Sequence, residues 1–520
     1  MSVTPSPKPY SAPSRQIWAW GVGALANHIL ICTYGQANNI FTIGFGIKAS
    51  LVSLAMVLPR LIDGLTDPIL GHLSDNTHTR WGRRKPFLVV GASIAAIALF
   101  ALWWADRSWS NTAQLVYLFS FGTLFYCAWG LYSMSWNAIG YELTDDYHER
   151  SKVSAIGSLF LGIVLLGNSW TFWLTLRPIF VHGVGNTLRD FIDAGLDWER
   201  FTAVWRQAFY TVQGAPTNAI NGIRWISGIV GIIALAATFF AVRYCKERFQ
   251  NVPAAKHKVA IIPAIRATFK NAPFRSLVLI KACQTLGERA AAALLVPYIA
   301  IYYVCQGDQS LGTKITGIGA TFGSIWIFAM IPMIKPVSKL IGKKGGLILG
   351  AGGGLFAALV IPFTYTPAHP YWMLLPTLVT ITLLSISNTI VNAIMPDICD
   401  VDELETGQRR EGLFTAVMGF VQKIEISLCI LLVGYILDWV GFNGSLTTQP
   451  AEVLNRLYWL SVIPNIIFTS LCFILALRFP LTEAMMTEVR KQLDKRHQAA
   501  AAAATSSAAS EPDGRPLSTA

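Results

Sequence analysis

Asp63 and Asp67 carry the most distinctive chemistry in this sequence. They stand four residues apart in Leu61-Ile62-Asp63-Gly64-Leu65-Thr66-Asp67-Pro68, inside an apolar stretch. On a helix that spacing puts both carboxylates on one face. A carboxylate at the centre of a bilayer is penalised by about 2.5–3.5 kcal/mol on insertion scales, so such groups turn to a cavity or a partner. Two like charges this close favour a shared proton or a bound cation. The competing reading is a cap on the basic loop that follows. It is weaker, because a span from Ser50 to Leu73 leaves Asp63 near its middle.

Other ionisable groups also fall inside apolar stretches: Lys281, Glu288, Arg289, Lys423 and Glu425. Lys281 and Glu288 are two helical turns apart on one face. Glu288 and Arg289 point about 100° apart and cannot pair with each other. An ion pair that locks helices together is as good a reading of Lys281 and Glu288 as substrate contact. Lys423 lies midway along its span, which favours a cavity over snorkelling to an interface.

The elements that must position these groups are membrane helices. Hydrophobic residues make up 53% of the 520-residue chain and charged residues 13%, about half the charged share of a soluble domain. The apolar residues come in blocks of about 20, enough to cross a hydrocarbon core. The sequence predicts an all-α membrane protein with twelve spans, near 17–39, 50–73, 87–105, 113–140, 153–176, 222–244, 274–304, 315–334, 346–366, 371–396, 411–437 and 457–479. Basic residues gather in the loops after spans two, six and eight, including Arg80, Arg83, Arg84 and Lys85. The positive-inside rule places those loops, and both termini, in the cytoplasm.

Two landmarks recur at one separation of 260 residues: Gly82 with Gly342, each followed by basic residues, and Arg150 with Arg410. This suggests two six-helix halves, 17–244 and 274–480, with substrate between them near the midplane. Residues 1–16 form an N-terminal cytoplasmic segment. Residues 245–273 form a cytoplasmic linker with a short surface helix over AIIPAIRATFK. Residues 481–520 form a cytoplasmic tail, expected to be largely disordered from its Ala/Ser-rich end. Residues 177–221 are an external insertion. Its LRDFIDAGLDWERFTAVWRQAF stretch suits an amphipathic helix with Trp198, Phe201, Trp205 and Phe209 roughly on one face. A decorated surface loop is the favoured reading of the insertion, and a lid over an outer vestibule the sharper one.

The net charge of +12 belongs to loops and does not point to nucleic acid. The eight cysteines stand singly, so neither a zinc site nor a disulfide framework is indicated. No GxxxxGK[ST] loop is present, and no nucleophile–base set at one level suggests catalysis. The implied partners are a small molecule and the lipid bilayer. The sequence is silent on oligomeric state.

The stretch after Asp67 narrows the choice. D-G-L-T-D-P, then G-H-L-S-D ending at Asp75, then T-R-W-G-R-R-K-P form one group of motifs. A second is D-V-D-E-L-E-T-G from Asp400 and Asp402, then Arg409-Arg410-Glu411-Gly412 and Gly419-Phe420-Val421-Gln422-Lys423. A weaker third runs from Tyr141 to Glu149-Arg150-Ser151. In this order they resemble the glycoside–pentoside–hexuronide:cation symporter family of the major facilitator superfamily, which includes the melibiose permease. The resemblance covers most of residues 17–480. It implies that Asp63 and Asp67 bind the coupling cation, H+ or Na+, and that Lys423 lies near the cation and the sugar path. No other metal or cofactor is implied.

The departures matter as much. His28 stands where the melibiose permease has a sugar-contacting aspartate, Ser133 where it has a third cation carboxylate, and Ser158 where it has a sugar-contacting arginine. Melibiose-like specificity therefore does not carry over, and the loss at Ser133 tilts the expectation toward protons. Asn137, between the landmarks, is the best polar candidate for a sugar hydroxyl.

The expected function is cation-coupled symport of a sugar, glycoside or uronide, with substrate and coupling contacts from His28, Asn137, Lys281, Glu288 and Lys423. A uniporter, an exporter or a non-transporting receptor are the alternatives. His28, Lys281, Arg289 and Lys423 are an unusual supply of positive charge for a neutral-sugar carrier, which suggests an acidic sugar. Asp75, Arg83, Arg84, Glu149, Arg150, Asp400, Asp402, Arg409 and Arg410 are expected to form a cytoplasmic gate of salt bridges.

Overall fold

The computed structural model describes residues 12–77, 79–144, 147–195, 197–209, 219–246, 266–407 and 410–509. Nearly all of them are helical. The N-terminal half comprises α1 (Ser14–Tyr34), α2 (Ala49–Asn76), α3 (Lys85–Leu102), α4 (Asn111–Glu142) and α5 (Tyr147–Thr175). Then come α6 (Val184–Ala194) and α7 (Trp198–Phe209) in the insertion, and α8 (Ala219–Tyr244). The C-terminal half opens with α9 (Ala272–Gln284), which runs on through π-helical turns at Thr285–Arg289 and Leu295–Val304. Two helices, α10 (309–341) and α11 (343–364), follow, divided where Gly342 takes φ +68°. That φ strains any residue with a Cβ. The half ends with α12 (Leu374–Thr406), α13 (Glu411–Val440) and α14 (Ala451–Leu477).

Twelve of these helices, α1–α5 and α8–α14, give the twelve membrane passes among the described residues. Eight stretches are long and apolar enough to be recognised as spans by composition alone. Stretches outside that set include α2, which carries Arg60 and Asp63, and α9, which carries Lys281.

Helix starts follow from side-chain chemistry. Ser110, Asn271 and Asp308 each accept a hydrogen bond from the first turn of the helix they precede. This satisfies backbone N–H groups that have no intrahelical partner. Inside each half, small residues let helices approach. A Cβ at Gly91 on α3 would lie 2.8 Å from the Ala128 carbonyl of α4, so only glycine allows this crossing.

The two halves meet at the end that carries the insertion. Trp170 on α5 donates to the Thr321 hydroxyl on α10 at 2.8 Å, and Arg177 donates to Ser310 at 2.9 Å. On the other side of the interface, α2 packs along α13.

Two expectations need correction. The LRDFIDAGLDWERFTAVWRQAF stretch of the insertion forms two helices where one was expected, because Gly195 breaks the chain at φ +55°. Their aromatic faces close on each other: Phe191 of α6 lies 5.2 Å from Phe201 and 6.4 Å from Trp205 of α7, centroid to centroid. The tail is not largely disordered either, since Glu483–Ala509 forms a further helix, α15. Its Met486, Val489 and Leu493, spaced at three and four residues, are buried against the C-terminal half. The expected linker helix lies mostly outside the described residues.

Candidate functional site

Asp63 and Lys423 meet where the halves join. α2 turns Asp63 inward, where it is 1% exposed. α13 brings Lys423 from the opposite half, and its Nζ donates to Asp63 Oδ2 at 3.1 Å. A buried ion pair of this kind stabilises little relative to a good apolar contact, but losing one partner is costly. Gly64, next in the chain, leaves room for the lysine stem, whose Cδ would sit 3.9 Å from a Cβ there.

Sequence reasoning missed two neighbours. Arg60 lies one turn before Asp63 on α2, and its Nη1 approaches the Tyr126 hydroxyl of α4 at 3.5 Å. Arg60 Nε is buried with no hydrogen-bond partner among the described residues. The signal was available: Arg60 is a further charge inside the same apolar span.

The other expected residues separate into places. His28 Nδ1 donates to the Ala24 carbonyl at 2.7 Å, and its ring meets the edge of Trp136 at 5.9 Å. Trp136 stacks on Trp20 at 4.6 Å, which joins α1 to α4. Asn137 is exposed, and its amide donates to the Ser133 carbonyl at 2.8 Å. Lys281 and Glu288 share a second charged cluster with Arg289 and Glu425 inside the C-terminal half. There Lys281 Nζ donates to Gln284 at 3.3 Å.

Glu288 and Arg289 also line a cavity of about 450 Å³ toward the insertion end. Gln36, Asn39 and Asn168 of the N-terminal half face the same space, together with Thr316, Thr380 and Asn465. Gln36 donates to Asn168 at 3.2 Å and receives a hydrogen bond from Asn39 at 3.4 Å. Carboxylate, guanidinium, amides and hydroxyls on one wall of a largely apolar cavity suit a small polyhydroxy ligand.

Several of the residues expected in a cytoplasmic gate form ion pairs within the C-terminal half. Asp402 takes a two-pronged hold from Arg410, at 2.6 and 2.9 Å. Asp400 lies 3.9 Å from Arg490 on α15. Neighbouring Asp397 bonds Lys343 at 2.6 Å and Arg490 at 2.8 Å. These pairs tie α12 to its own half and to the tail, a role that assigning the tail to disorder had hidden. Arg84 is buried and Arg83 half-buried in the loop after α2. The side chains of Asp67, Asp75, Glu149 and Arg150, and all of Arg409, lie outside the described residues. Among the described residues no group of three or more His, Cys, Asp or Glu side chains could hold a metal ion.

Comparison with known proteins gives the family and the fold. The sequence model of the family described as "MFS/sugar transport protein" matches residues 19–483. An uncharacterized symporter of Synechocystis sp. (strain ATCC 27184 / PCC 6803 / Kazusa) is 25% identical, the match covering 87% of this chain and 91% of that one. A glucuronide carrier protein homolog of Escherichia coli (strain K12) is 20% identical, over 93% of this chain and 96% of that one. Among solved structures, a bacterial homolog of the human lysosomal transporter Spinster superposes with a TM-score of 0.57 at 14% identity, covering 91% of this chain and 100% of that one. A match over residues 19–483 and a twelve-pass bundle with a charge pair between its halves lead to one assignment: the chain belongs to the MFS/sugar transport protein family.

Proposed function

We propose that the protein couples uptake of a sugar, glycoside or uronide to a cation, and that Asp63 is the centre of that coupling. The observation that carries this reading is the Asp63–Lys423 pair. Each partner comes from a different half, so breaking the pair changes how the halves sit together. A cation arriving at Asp63 competes with the Lys423 ammonium and frees it for substrate or for helix movement. The loaded carrier is then favoured only when the cation is bound, and that difference is the coupling free energy. Asp67, one turn along α2, is assigned to the same cation. The proton is preferred over sodium, because Ser133 supplies no third carboxylate.

His28, Asn137, Lys281 and Glu288 are proposed to contact substrate or transmit its binding, with the polar cavity wall taking hydroxyls. The positive groups among them favour a uronide. Both termini are placed in the cytoplasm and the protein in the cytoplasmic membrane. The closed insertion end is then the outer face. Asp75, Arg83, Arg84, Glu149, Arg150, Asp400, Asp402, Arg409 and Arg410 are assigned to a gate at the inner face that closes in the alternate state.

The test is flux in proteoliposomes over a panel of neutral glycosides and uronides. Asp63→Asn is expected to lose gradient-driven accumulation while retaining some exchange. Equal accumulation by Asp63→Asn, Asp67→Asn and the parent overturns the assignment. Flux indifferent to any imposed cation gradient identifies a uniporter instead.

A further inference from the structure

The second charged cluster has features that the Asp63 site does not explain. It sits where α9, α13 and α14 converge. Gln284 is 2% exposed, Glu425 6% and Asn465 6%. Both carboxylate oxygens of Glu425 are buried with no hydrogen-bond partner among the described residues. The same holds for Glu288 Oε2, Asn465 Oδ1 and Gln284 Nε2. The Thr285 hydroxyl stands near Glu425 but outside hydrogen-bonding geometry.

The groups that face Glu425 are known from each packed helix. α9 and its π turn contribute Lys281, Cys283 and Arg289, and Glu288 faces the same Lys281. α13 itself contributes Cys429, and Cys472 of α14 lies on the Lys281 and Glu288 side of the cluster. Lys423 lies two residues before Glu425, about 200° around the helix. It and the Asp63 of α2 therefore belong to the opposite side of α13.

A buried carboxylate that accepts no hydrogen bond is costly as an anion. Polar atoms this deep normally have partners. A proton on the carboxyl removes the charge and turns one oxygen into a donor. A metal ion fits less well, since Lys281 and Arg289 already crowd the cluster with positive charge.

We propose that Glu425 carries a proton in this conformation and, with Glu288, forms a second proton site in the C-terminal half, distinct from Asp63. Glu288 and Asn465 both line the 450 Å³ cavity, so the cluster opens onto a space that admits water. On release the Glu425 O–H bond breaks and its electron pair stays on the carboxylate. The proton leaves on a cavity water as hydronium. The Lys281 ammonium then turns from Gln284 to balance the charge. Because Lys423 and Glu425 ride on the same helix, this proton and the cation at Asp63 act on one moving part. That transport role rests on the symport reading above; the presence of the proton does not.

The experiment is infrared difference spectroscopy on purified, substrate-free protein at neutral pH. Glu425→Gln nearly preserves shape, and it is expected to remove a protonated-carboxyl band that Asp63→Asn leaves in place. Loss of carboxylate intensity instead, with the protonated-carboxyl region unchanged, overturns the proposal. Replacing choline chloride with sodium chloride should leave the band intact; a band abolished by sodium assigns the site to a metal cation and also overturns it. Should Glu425→Gln fail to fold, the native protein still decides. An apolar carbodiimide, which reacts with protonated carboxyls, is expected to label Glu425 by peptide mapping, less so as pH rises. Labelling confined to other carboxyls rejects the site. These readouts need no transport, so they fail or succeed independently of the flux test.

Discussion

Asp438, near the end of α13, caps the start of α2 from the opposite half. Its carboxylate accepts from the backbone N–H groups of Ala49 at 3.0 Å and Ser50 at 3.2 Å, and from the Ser50 hydroxyl. Lys48, at α2's own N-cap position, makes no such bond. A helix cap is worth about 0.5–2 kcal/mol. Here that energy also holds the insertion end shut, because cap and helix belong to different halves. Asp438→Ala is expected to shift the population toward opening at this end by roughly two- to thirtyfold, using 1.4 kcal/mol per decade. Thiol labelling of a Gln36→Cys probe, with the native cysteines replaced, should rise accordingly. Unchanged labelling would show that the cap is not part of the closure.

Arg177 is the second closure. It is 2% exposed and donates to Ser310, to the Phe209 carbonyl and to the Trp173 carbonyl, each at 2.9 Å. Its guanidinium also lies 3.8 Å over the Trp173 ring. One side chain thus joins α5, the end of α7 and the start of α10. A lysine cannot copy a planar fork stacked on an indole. Hydrogen bonds from charged donors are worth about 1.5–3 kcal/mol each, so Arg177→Lys should loosen α7 by a few kcal/mol. Limited proteolysis within 197–209 reports this. Cleavage as slow as in the parent would contradict it.

Much of this was legible in the sequence. Twelve spans, two halves and the motif carboxylates follow from apolar blocks, loop charge and paired landmarks. The Asp63–Lys423 distance does not, because no pattern within one span says which residue of a distant span faces it. Arg60 was overlooked beside its more familiar carboxylate neighbours. In the tail, composition outweighed pattern: the alanines and serines after Gln498 suggested disorder, while Met486, Val489 and Leu493 already marked an amphipathic helix. The break at Gly195 was also readable, since glycine after a helical run often ends it.

That tail helix gives a prediction in which two effects compete. Arg490 pairs with Asp397 at 2.8 Å, but its side chain is 57% exposed. Such pairs are worth about 0–1 kcal/mol, and Lys343 remains on Asp397 when Arg490 is lost. Leu493 is buried with 5% exposure. Truncating a buried leucine costs about 2–5 kcal/mol. Leu493→Ala should therefore release α15 far more readily than Arg490→Ala. Hydrogen exchange across 483–496 separates them. A larger effect from Arg490→Ala would mean that charge, not apolar contact, docks the tail.

The last prediction concerns the Asp63–Lys423 pair itself. The two partners are not equally buried: Asp63 is 1% exposed by side chain and Lys423 30%. Removing the lysine leaves a carboxylate deep between the halves without this ammonium. Removing the carboxylate leaves an ammonium that still reaches water. Breaking a buried pair from one side costs about 3–5 kcal/mol, mostly because the remaining charge stays buried. Lys423→Ala should therefore approach that range, and Asp63→Asn should cost clearly less. The double variant Asp63→Asn with Lys423→Ala removes both charges of the pair, so it should be more stable than Lys423→Ala alone. A double-mutant cycle on Tm in detergent, all four proteins at one pH and salt, measures the coupling. Additive losses, with the double variant the least stable, would mean that the pair seen at 3.1 Å contributes nothing to holding the halves together.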